Sequence, residues 1–249
     1  MDLGLGGRVA LVTGASAGIG LGIASALVAE GAQVAISSRK RDRVDPAAES
    51  IGARPYVHDS ADLDAAPGLV RSVEADLGPL DVLVTNTGGP PGGADPLGFD
   101  RDQWEAAYRT LVLGPMALIE AALPGMRERR HGRVLNVASS AVREPIPNLM
   151  LSNVHRVSML AAFKTLARQV ADDGVTLNNL LPGRIATDRL AELMGSLERA
   201  QELAAEEVPA ARLCTVEEFA AAAAFLCSER ASYITGVALL VDGGLTRSI

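Results

Sequence analysis

A hydroxyl and a cation stand four residues apart in the stretch Ser152 to Arg156, which reads SNVHR. The stretch opens a helix-patterned segment, so this spacing places the side chains of Ser152 and Arg156 on one helix face. A hydroxyl can hydrogen-bond a substrate oxygen, and a guanidinium can stabilise negative charge that develops on it. His155 could supply acid–base chemistry near neutral pH. It lies at the border of that face, so a packed or interface histidine is the alternative.

A glycine-rich turn, TGASAGIG at residues 13–20, lies between a predicted strand and a helix pattern. Gly14, Gly18 and Gly20 let the backbone turn tightly and approach a pyrophosphate, which would lie on the N–H groups that open the helix. This strand–turn–helix context predicts a nucleotide site, with a purely structural turn as the alternative.

The second predicted strand ends in Ser37-Ser38-Arg39-Lys40. Dinucleotide folds that prefer NAD usually carry Asp or Glu there, which accepts a hydrogen bond from the ribose 2′-OH. Serine and arginine can instead bind a 2′-phosphate through charge-assisted hydrogen bonds. The sequence therefore predicts NADP(H) rather than NAD(H), unless the segment is only a solvated basic turn.

The elements that must position these groups alternate regularly. Short apolar runs predict strands at residues 8–13, 33–38, 54–58, 81–86, 133–138, 175–181 and 237–242. Helix patterns lie at about 18–30, 62–77, 102–129, 149–172 and 215–227, with a polar helical insert at 188–206. We expect a three-layer α/β fold with a Rossmann-like, doubly wound parallel sheet of about seven strands and helices on both faces. No linker or repeat divides the chain, which predicts a single domain over residues 1–249.

Composition argues against several classes of function. The formal net charge is −7, the pI is about 5.1, and the longest basic run is Arg39-Lys40-Arg41. A nucleic-acid or acidic-membrane surface is therefore not expected. The N-terminus does not resemble a signal peptide, and no run of about 18 apolar residues suggests a membrane span, so we expect a cytoplasmic protein. Cys214 and Cys227 lack metal-ligand or CxxC spacing, so we expect neither a metal site nor a disulfide.

The spacing TGxxxGxG in the glycine-rich turn resembles that of the short-chain dehydrogenase/reductase family. The similarity runs along the whole chain and is strongest to the branch that resembles 3-oxoacyl-carrier-protein reductases. Four later segments carry it: His58-Asp59-Ser60, Thr85-Asn86-Thr87-Gly88, Pro182 to Thr187, and Ile234 to Gly244. The second of them matches the family's Asn-Asn-Ala-Gly at two of four positions.

This resemblance implies hydride transfer between NADP(H) and a carbonyl or carbinol carbon of a small molecule. Asp59 would lie at the adenine, and Thr187 at the nicotinamide carboxamide. The implied cofactor-binding residues are Gly14, Ser16, Gly18, Ile19, Gly20, Ser38, Arg39, Asp59, Ser60, Asn86, Gly88, Arg156, Pro182, Gly183, Ile185 and Thr187.

The catalytic positions depart from the family's pattern, which uses a Tyr as proton donor, a Lys four residues later, an upstream Ser and an Asn on the preceding helix. By the same resemblance, Ser152 stands at the Tyr position and Arg156 at the Lys position. Leu111 stands at the Asn position, and Ser139 keeps the upstream Ser. Serine gives up a proton reluctantly, and arginine stays charged. The usual acid is therefore missing, and His155 is the nearest candidate to replace it.

Three functions remain open on the sequence. The leading hypothesis is an atypical NADP(H)-dependent oxidoreductase in which Ser139 and Ser152 bind the substrate oxygen and Arg156 holds the cofactor and stabilises charge. The second is a catalytically silent NADP(H)-binding protein. The third is a non-redox enzyme that promotes an elimination, isomerisation or cyclisation through an enolate-like charge.

Three further segments are expected around the substrate. The stretch GGPPGG at 88–93 predicts a stiff rim after the fourth strand, and Glu144 is either a pocket acid or a solvated loop carboxylate. Residues 187–209 resemble the family's helical substrate lid. Its apolar stripe would line the pocket or pack on the body of the protein; it consists of Leu190, Leu193, Met194 and Leu197. Helices at 102–129 and 149–172 resemble those that pair subunits in the family, so a homodimer or homotetramer is expected.

Overall fold

The computed structural model describes residues 1–248. Its strands are β1 Val9–Val12, β2 Gln33–Ser38, β3 Arg54–Val57, β4 Leu80–Thr85, β5 Gly132–Val137, β6 Val175–Pro182 and β7 Ala238–Val241. All are parallel, and their order in the sheet is β3-β2-β1-β4-β5-β6-β7. Each lies within one residue of its predicted ends. The predicted doubly wound α/β sheet is confirmed.

Nine α-helices accompany the sheet within the described residues. They are α1 Gly18–Ala29, α2 Arg41–Ile51, α3 Ala66–Leu77, α4 Arg101–Tyr108, α5 Gly114–Glu128, α6 Met150–Val170, α7 Asp188–Met194, α8 Leu197–Glu207 and α9 Val216–Leu226. Helix α2 was not predicted, because its charged sequence hides the short buried stripe of Val44, Ala47 and Ala48. The polar insert contains two helices, which are separated at Gly195, where φ is +94°.

Both faces of the sheet are covered, as its continuous apolar strands require. On one face Ile23 and Leu27 of α1 pack with Phe219 of α9 in a buried cluster. On the other face Ile119 of α5 and Phe163 of α6 belong to a second cluster. The helices therefore hold the carboxyl ends of the strands at a fixed edge, where ligands of such sheets bind.

The helical stretch predicted at 102–129 contains a π-helical turn at Arg109–Leu113, between α4 and α5. Pro115 has no N–H to donate to the carbonyl of Leu111 four residues earlier, which disfavours regular α-helical bonding there. The N–H of Gly114 donates to the carbonyl of Arg109 instead. A Cβ on Gly114 would lie 2.1 Å from the carbonyl oxygen of Ser60, so glycine permits this turn to approach the loop after β3.

The span Arg101–Glu128 is long and apolar enough to cross a membrane by length and composition alone. In this fold Leu118, Ile119, Ala122 and Met126 are buried in the second cluster. The span is a core helix of the α/β fold.

Candidate functional site

The loops after β1 and β4 are tied together at the edge where the sheet order reverses. The Thr13 hydroxyl donates to the carbonyl of Asn86 at 3.0 Å, and the Asn86 N–H donates to the Thr13 hydroxyl at 3.0 Å. The Asn86 side-chain amide donates to the carbonyl of Gly14 at 2.9 Å. Gly14 has φ +57°, and a Cβ there would lie 2.5 Å from the Asn86 carbonyl oxygen. The glycine is required for this closure.

The glycine-rich turn fits the pyrophosphate of a dinucleotide. Helix α1 begins at Gly18 without a side-chain cap and without an acidic residue in its first turn. No side chain of the helix start therefore competes with an anion for its first N–H groups. A Cβ on Gly20 would lie 2.5 Å from the carbonyl oxygen of Gly14. Ser16 and Ile19 are half-buried in the same turn. These features are what the backbone needs to approach a phosphate closely.

The end of β2 offers cations without a counter-ion. Arg39 is exposed and forms no salt bridge with any residue from 1 to 248. The Ser38 hydroxyl donates to the carbonyl of Lys40 at 3.2 Å, which leaves its oxygen lone pairs available. A carboxylate is absent from this turn. The arrangement fits a 2′-phosphate.

The loop after β3 is held by the π-helical turn. Asp59 accepts from the N–H of Ala61 at 3.0 Å, and Arg109 donates through Nε to the carbonyl of Ala61 at 2.6 Å. His58 is buried at the start of this loop, and burial lowers its pKa. Asp59 and Ser60 thus occupy a fixed loop at the carboxyl edge, on the β3 side of the phosphate turn.

Arg156 reaches from α6 to the carboxyl ends of β4 and β5. Its Nη1 donates to the carbonyl of Val137 at 2.8 Å, and its Nη2 donates to the carbonyl of Thr87 at 3.4 Å. Its Nε donates to the Ser152 hydroxyl at 3.2 Å. All three acceptors are neutral, and in the chain up to Ser248 no carboxylate pairs with Arg156. Burial lowers the pKa of Arg156 to about 10, so it remains a cation at neutral pH.

The hydroxyls of Ser152 and Ser139 both have their protons free. Ser152 is buried and accepts from Arg156 Nε, while half-buried Ser139 accepts from the N–H of Ala141 at 3.1 Å. No described residue accepts a hydrogen bond from either hydroxyl. Because an accepted hydrogen bond polarises a hydroxyl, each of them becomes a better donor toward a substrate oxygen. Hydroxyl donors and a cation are the kinds of group that can bind an oxyanion.

His155 faces away from these groups. Its ring lies 5.5 Å from that of Trp104 and 6.0 Å from that of Tyr108, both on α4. Its Nδ1 lies 2.7 Å from the carbonyl oxygen of Leu151. These contacts fit the packed histidine that the sequence left as an alternative, and they do not bring the imidazole to Ser152.

Glu144 is also engaged elsewhere. Its Oε1 accepts from the backbone N–H groups of Arg247 and Ser248, the latter at 2.8 Å. It therefore anchors the C-terminal segment to the loop after Ser139. The alternatives predicted from the sequence were a pocket acid or a solvated carboxylate, and neither includes this role. Leu111 is buried in the second core cluster, and its side chain adds only apolar surface.

The turn after β6 approaches the phosphate-binding turn. Thr187 accepts from the N–H of Leu190 at 3.3 Å and caps α7, while its methyl group lies 3.5 Å from a Cβ built on Gly18. Gly183 donates its N–H to the carbonyl of Val241 at 3.0 Å. Pro182, Gly183 and the buried Ile185 thus hold Thr187 near α1. A Cβ on Gly88 would meet nothing within 4 Å, so the opposite wall is open.

Residues 187–209, the predicted lid, contact the GGPPGG stretch, and their predicted apolar stripe is divided. Arg189 donates through Nη2 to the carbonyl of Pro90 at 3.3 Å, which joins α7 to the GGPPGG stretch. Leu190 and Met194 pack on a small core with Ala200, Ala204, Val208 and Leu213. Leu193 and Leu197 are each 43% exposed. Half of the stripe therefore packs on the body of the protein, and the predicted pocket role of Leu193 and Leu197 stays a prediction.

Three residues that fix the loops of the site were not identified from the sequence. Thr13 closes the two loops, Arg109 holds the loop after β3, and Arg189 joins lid to rim. The only local signal was the Gly114-Pro115 pair, which predicts an irregular helix near Arg109. The other contacts join residues more than 70 positions apart and leave no local pattern.

Comparison with known proteins identifies reductases as relatives of this chain. A family model described as enoyl-(acyl carrier protein) reductase matches residues 14–246. The chain is 34% identical to the NADPH-dependent reductase BacG of Bacillus subtilis, over 97% of this chain and 99% of that protein. It is 34% identical to the 3-oxoacyl-(acyl-carrier-protein) reductase FabG of Salmonella typhimurium, over 96% and 97% of the two chains.

Solved structures agree with these relatives. L-sorbose reductase from Gluconobacter frateurii, complexed with NADPH and L-sorbose, superposes with a TM-score of 0.92 at 33% identity, and the match covers 100% of both chains. YwfH, an NADPH-dependent reductase involved in bacilysin biosynthesis, superposes with a TM-score of 0.91 at 32% identity, over 97% and 99% of the chains. The similarity therefore extends over both the sheet and the helices around it.

Proposed function

Because the chain belongs to the short-chain dehydrogenase/reductase family, we propose that it is an NADP(H)-dependent oxidoreductase of atypical active site. It acts on a carbonyl or hydroxyl group of a small molecule, within the single domain of residues 1–249. The observation that carries this proposal is the contact between Arg156 and Ser152. It supports the proposal because a cation and a polarised hydroxyl then stand together at the positions where, by the resemblance, the family uses Lys and Tyr.

Two lines support NADP(H) as the cofactor. BacG is named as NADPH-dependent, and the L-sorbose reductase structure contains NADPH. Within residues 1–248 Arg39 has no counter-ion, and the β2 turn carries no carboxylate that would repel a 2′-phosphate. When bound, NADPH supplies the hydride. The remaining contacts come from the phosphate turn, the Asp59–Ser60 loop, Asn86, Gly88 and the segment from Pro182 to Thr187.

The chain's own residues then bind and orient the substrate. The hydroxyls of Ser139 and Ser152 donate to the substrate oxygen, and Arg156 stabilises the negative charge that develops there. By the same proposal Arg156 also holds the nicotinamide ribose. His155 has its ring packed on α4 and is therefore not proposed as the acid. Residues 187–209 act as the lid, with Arg189 at its contact with the rim.

We also propose that the protein acts as a cytoplasmic homodimer or homotetramer. Tyr108 on α4 and Val154 and Val157 on α6 are between 43% and 46% exposed. They lie on the two helices that pair subunits in this family. Such large apolar side chains in one region favour a partner over water.

Cofactor titration and turnover test the proposal. NADPH should quench intrinsic fluorescence or show its own enhanced emission at lower concentrations than NADH. Ser152→Ala should then lower kcat by about 100-fold, as expected for one lost oxyanion donor, while NADPH affinity changes little. The matched control is Ser158→Ala, on the same helix, because the Ser158 hydroxyl donates only to the carbonyl of His155.

The alternatives predict other results. A silent binding protein would bind NADPH but oxidise none of it over a broad carbonyl panel, and Ser139→Ala would change no phenotype. A non-redox enzyme would continue to turn over after the dinucleotide is stripped out. Either result, or tighter binding of NADH than of NADPH, would contradict the proposed function.

A further inference from the structure

The direction of the Ser139 hydroxyl depends on the Ser139 turn, residues 139–144. The hydroxyl oxygen accepts from the N–H of Ala141 at 3.1 Å. Ala141 lies in a short 3₁₀ turn, and the N–H of Glu144 continues it by donating to the carbonyl of Ser140 at 3.2 Å. A shift of these residues would therefore change where the proton of Ser139 points.

The C-terminal strap, residues 242–248, has anchors of its own. The carboxylate of Asp242 accepts from the N–H groups of Gly244 at 3.0 Å and Thr246 at 2.9 Å. Leu245 packs on the small apolar core that α8 forms with the loop after it. The strap is therefore fixed as far as Thr246 by contacts that do not involve the Ser139 turn, and it lies against the second helix of the predicted lid.

Glu144 joins the C-terminal strap to the Ser139 turn. Its Oε1 accepts from the backbone N–H groups of Arg247 at 2.5 Å and Ser248 at 2.8 Å. Residues 145–148, which follow Glu144, are all exposed, so packing does little to hold this part of the loop. Because the strap is anchored elsewhere, the two hydrogen bonds fix the Ser139 turn against the strap.

We propose that Glu144 is a positioning residue, which aims the Ser139 hydroxyl at the substrate oxygen by tying the Ser139 turn to the C-terminal strap. The inference rests on the proposed function, because it takes Ser139 as a donor to that oxygen. Glu144 takes no part in proton or hydride transfer and acts only through Ser139. Since the strap also packs on α8, the same contact keeps Ser139 at a fixed distance from the predicted lid.

A double-mutant cycle tests this role with NADPH and the best substrate of a carbonyl panel. Glu144→Ala should lower kcat about tenfold, because a displaced donor loses its alignment with the substrate oxygen. NADPH affinity should stay within about twofold, since the contact is remote from the phosphate turn. Ser139→Ala should lower kcat about 100-fold, and adding Glu144→Ala to it should cost nothing further. Effects that multiply in the double variant would overturn the inference.

Matched variants test each partner of the contact. Glu144→Gln should keep kcat within about threefold of the wild type, because both hydrogen bonds end on Oε1 and an amide oxygen can accept them. Arg247→Pro removes one of the two N–H donors and should lower kcat more than Arg247→Ala, which keeps it. Glu30→Ala removes an exposed carboxylate at the end of α1 and should leave kcat unchanged. Equal effects of Arg247→Pro and Arg247→Ala would contradict the inference.

Hydrogen–deuterium exchange measures the positioning without turnover and separates the inference from the proposed function. In Glu144→Ala the amides of the Ser139 turn and of residues 247–248 should exchange faster than in the wild type, while those of β5 stay protected. Unchanged exchange in the Ser139 turn would overturn the inference and leave an NADP(H)-dependent oxidoreductase standing. A wild type that oxidises no NADPH over the panel would instead contradict the proposed function, and the exchange rates would still decide whether Glu144 holds the turn.

Discussion

An arginine lies at each end of β5, and among the described residues only one of the two has a counter-ion. Arg133 lies near the amino end, with 4% of its side chain exposed, and its Nη2 contacts Glu229 at 3.2 Å. Its Nε donates to the carbonyl of Ser228 at 3.1 Å. Arg156 reaches the carboxyl end of β5, and its acceptors within residues 1–248 are all neutral. Burial lowers the pKa of both guanidinium groups.

The difference separates a structural cation from one that we assign to ligand binding. At the amino end, Arg8 also contacts Asp81 and Glu229, so the two arginines face two carboxylates. A buried charge without such a partner is costly to the fold. Arg156 keeps that cost, which a ligand anion would relieve. Perturbed charges of this kind are concentrated at functional sites, and the carboxyl edge of a parallel sheet is where such a ligand binds.

The largest expected effect follows from removing the unpaired cation. Arg156→Met should lower kcat/KM by about 100-fold to 1000-fold, because the developing oxyanion loses the cation that is proposed to stabilise it. Its free energy of unfolding should change by less than about 1 kcal/mol, since the loss of three hydrogen bonds is offset by removal of a half-buried charge without a counter-ion among the described residues. Steady-state kinetics and urea denaturation measure the two quantities. Near-normal activity combined with strong destabilisation would make Arg156 a structural residue like Arg133.

The second expected effect concerns another arginine without a counter-ion at the carboxyl edge. Arg39→Leu should weaken NADPH binding by about tenfold to a hundredfold, the value of one hydrogen bond to a charged group. NADH affinity should be unchanged, because NADH has no 2′-phosphate. Fluorescence titration with both nucleotides measures this ratio. An equal loss for NADPH and NADH would mean that Arg39 does not read the 2′-phosphate.

The matching substitution of Arg133, near the amino end of β5, should lower the free energy of unfolding without affecting activity. Arg133→Met leaves the carbonyls of Ser228 and Gly174 without this donor and should lower the free energy of unfolding by about 2 kcal/mol. Glu229 keeps Arg8, which limits the loss. NADPH affinity and kcat should stay within about twofold of the wild type, because β5 keeps its place in the sheet. A large loss of kcat in a folded Arg133→Met protein would remove the distinction between the two ends.

Much of the fold was predictable because it depends on local patterns. Buried parallel strands are continuous apolar runs, and the strand bounds follow from them. Helix α2 was missed because only a narrow stripe of it is buried, at Val44, Ala47 and Ala48. The π-helical turn depends on Pro115 and on the approach of Ser60 to Gly114, a contact between distant parts of the chain.

The candidate site was predictable in its residue types but not in its contacts. The spacing of Ser152 and Arg156 predicted that they share a face, and they are hydrogen-bonded. The acceptors of Arg156 on β4 and β5, and the capture of Glu144 by the C-terminal backbone, join segments 19 to 104 positions apart. A one-dimensional pattern cannot tell which hydroxyl protons remain free, because that depends on every partner in three dimensions.

The smallest expected effect tests whether the amino end is a balanced charge cluster. His131 lies 3.6 Å from Glu229 and 3.9 Å from Asp81. Burial lowers its pKa from 6.5, and the nearby cations Arg133 and Arg8 lower it further, against the opposing effect of the two carboxylates. The folded protein therefore favours neutral His131. Below pH 6.5 the unfolded chain binds more protons than the folded protein. The contribution of neutral His131 to the free energy of unfolding is therefore fully present above that pH and is lost as the pH falls toward the lowered pKa, by at most about 1.4 kcal/mol per pH unit for one group.

His131→Gln removes this titration and should flatten the pH dependence of urea unfolding between about pH 7.5 and 5. The matched control His58→Gln removes the other histidine whose pKa burial lowers, so each variant should remove part of the dependence. If His131→Gln steepens the loss at low pH, then protonated His131 is stabilised by Glu229 and Asp81, and the amino end holds an excess of negative charge instead of a balance.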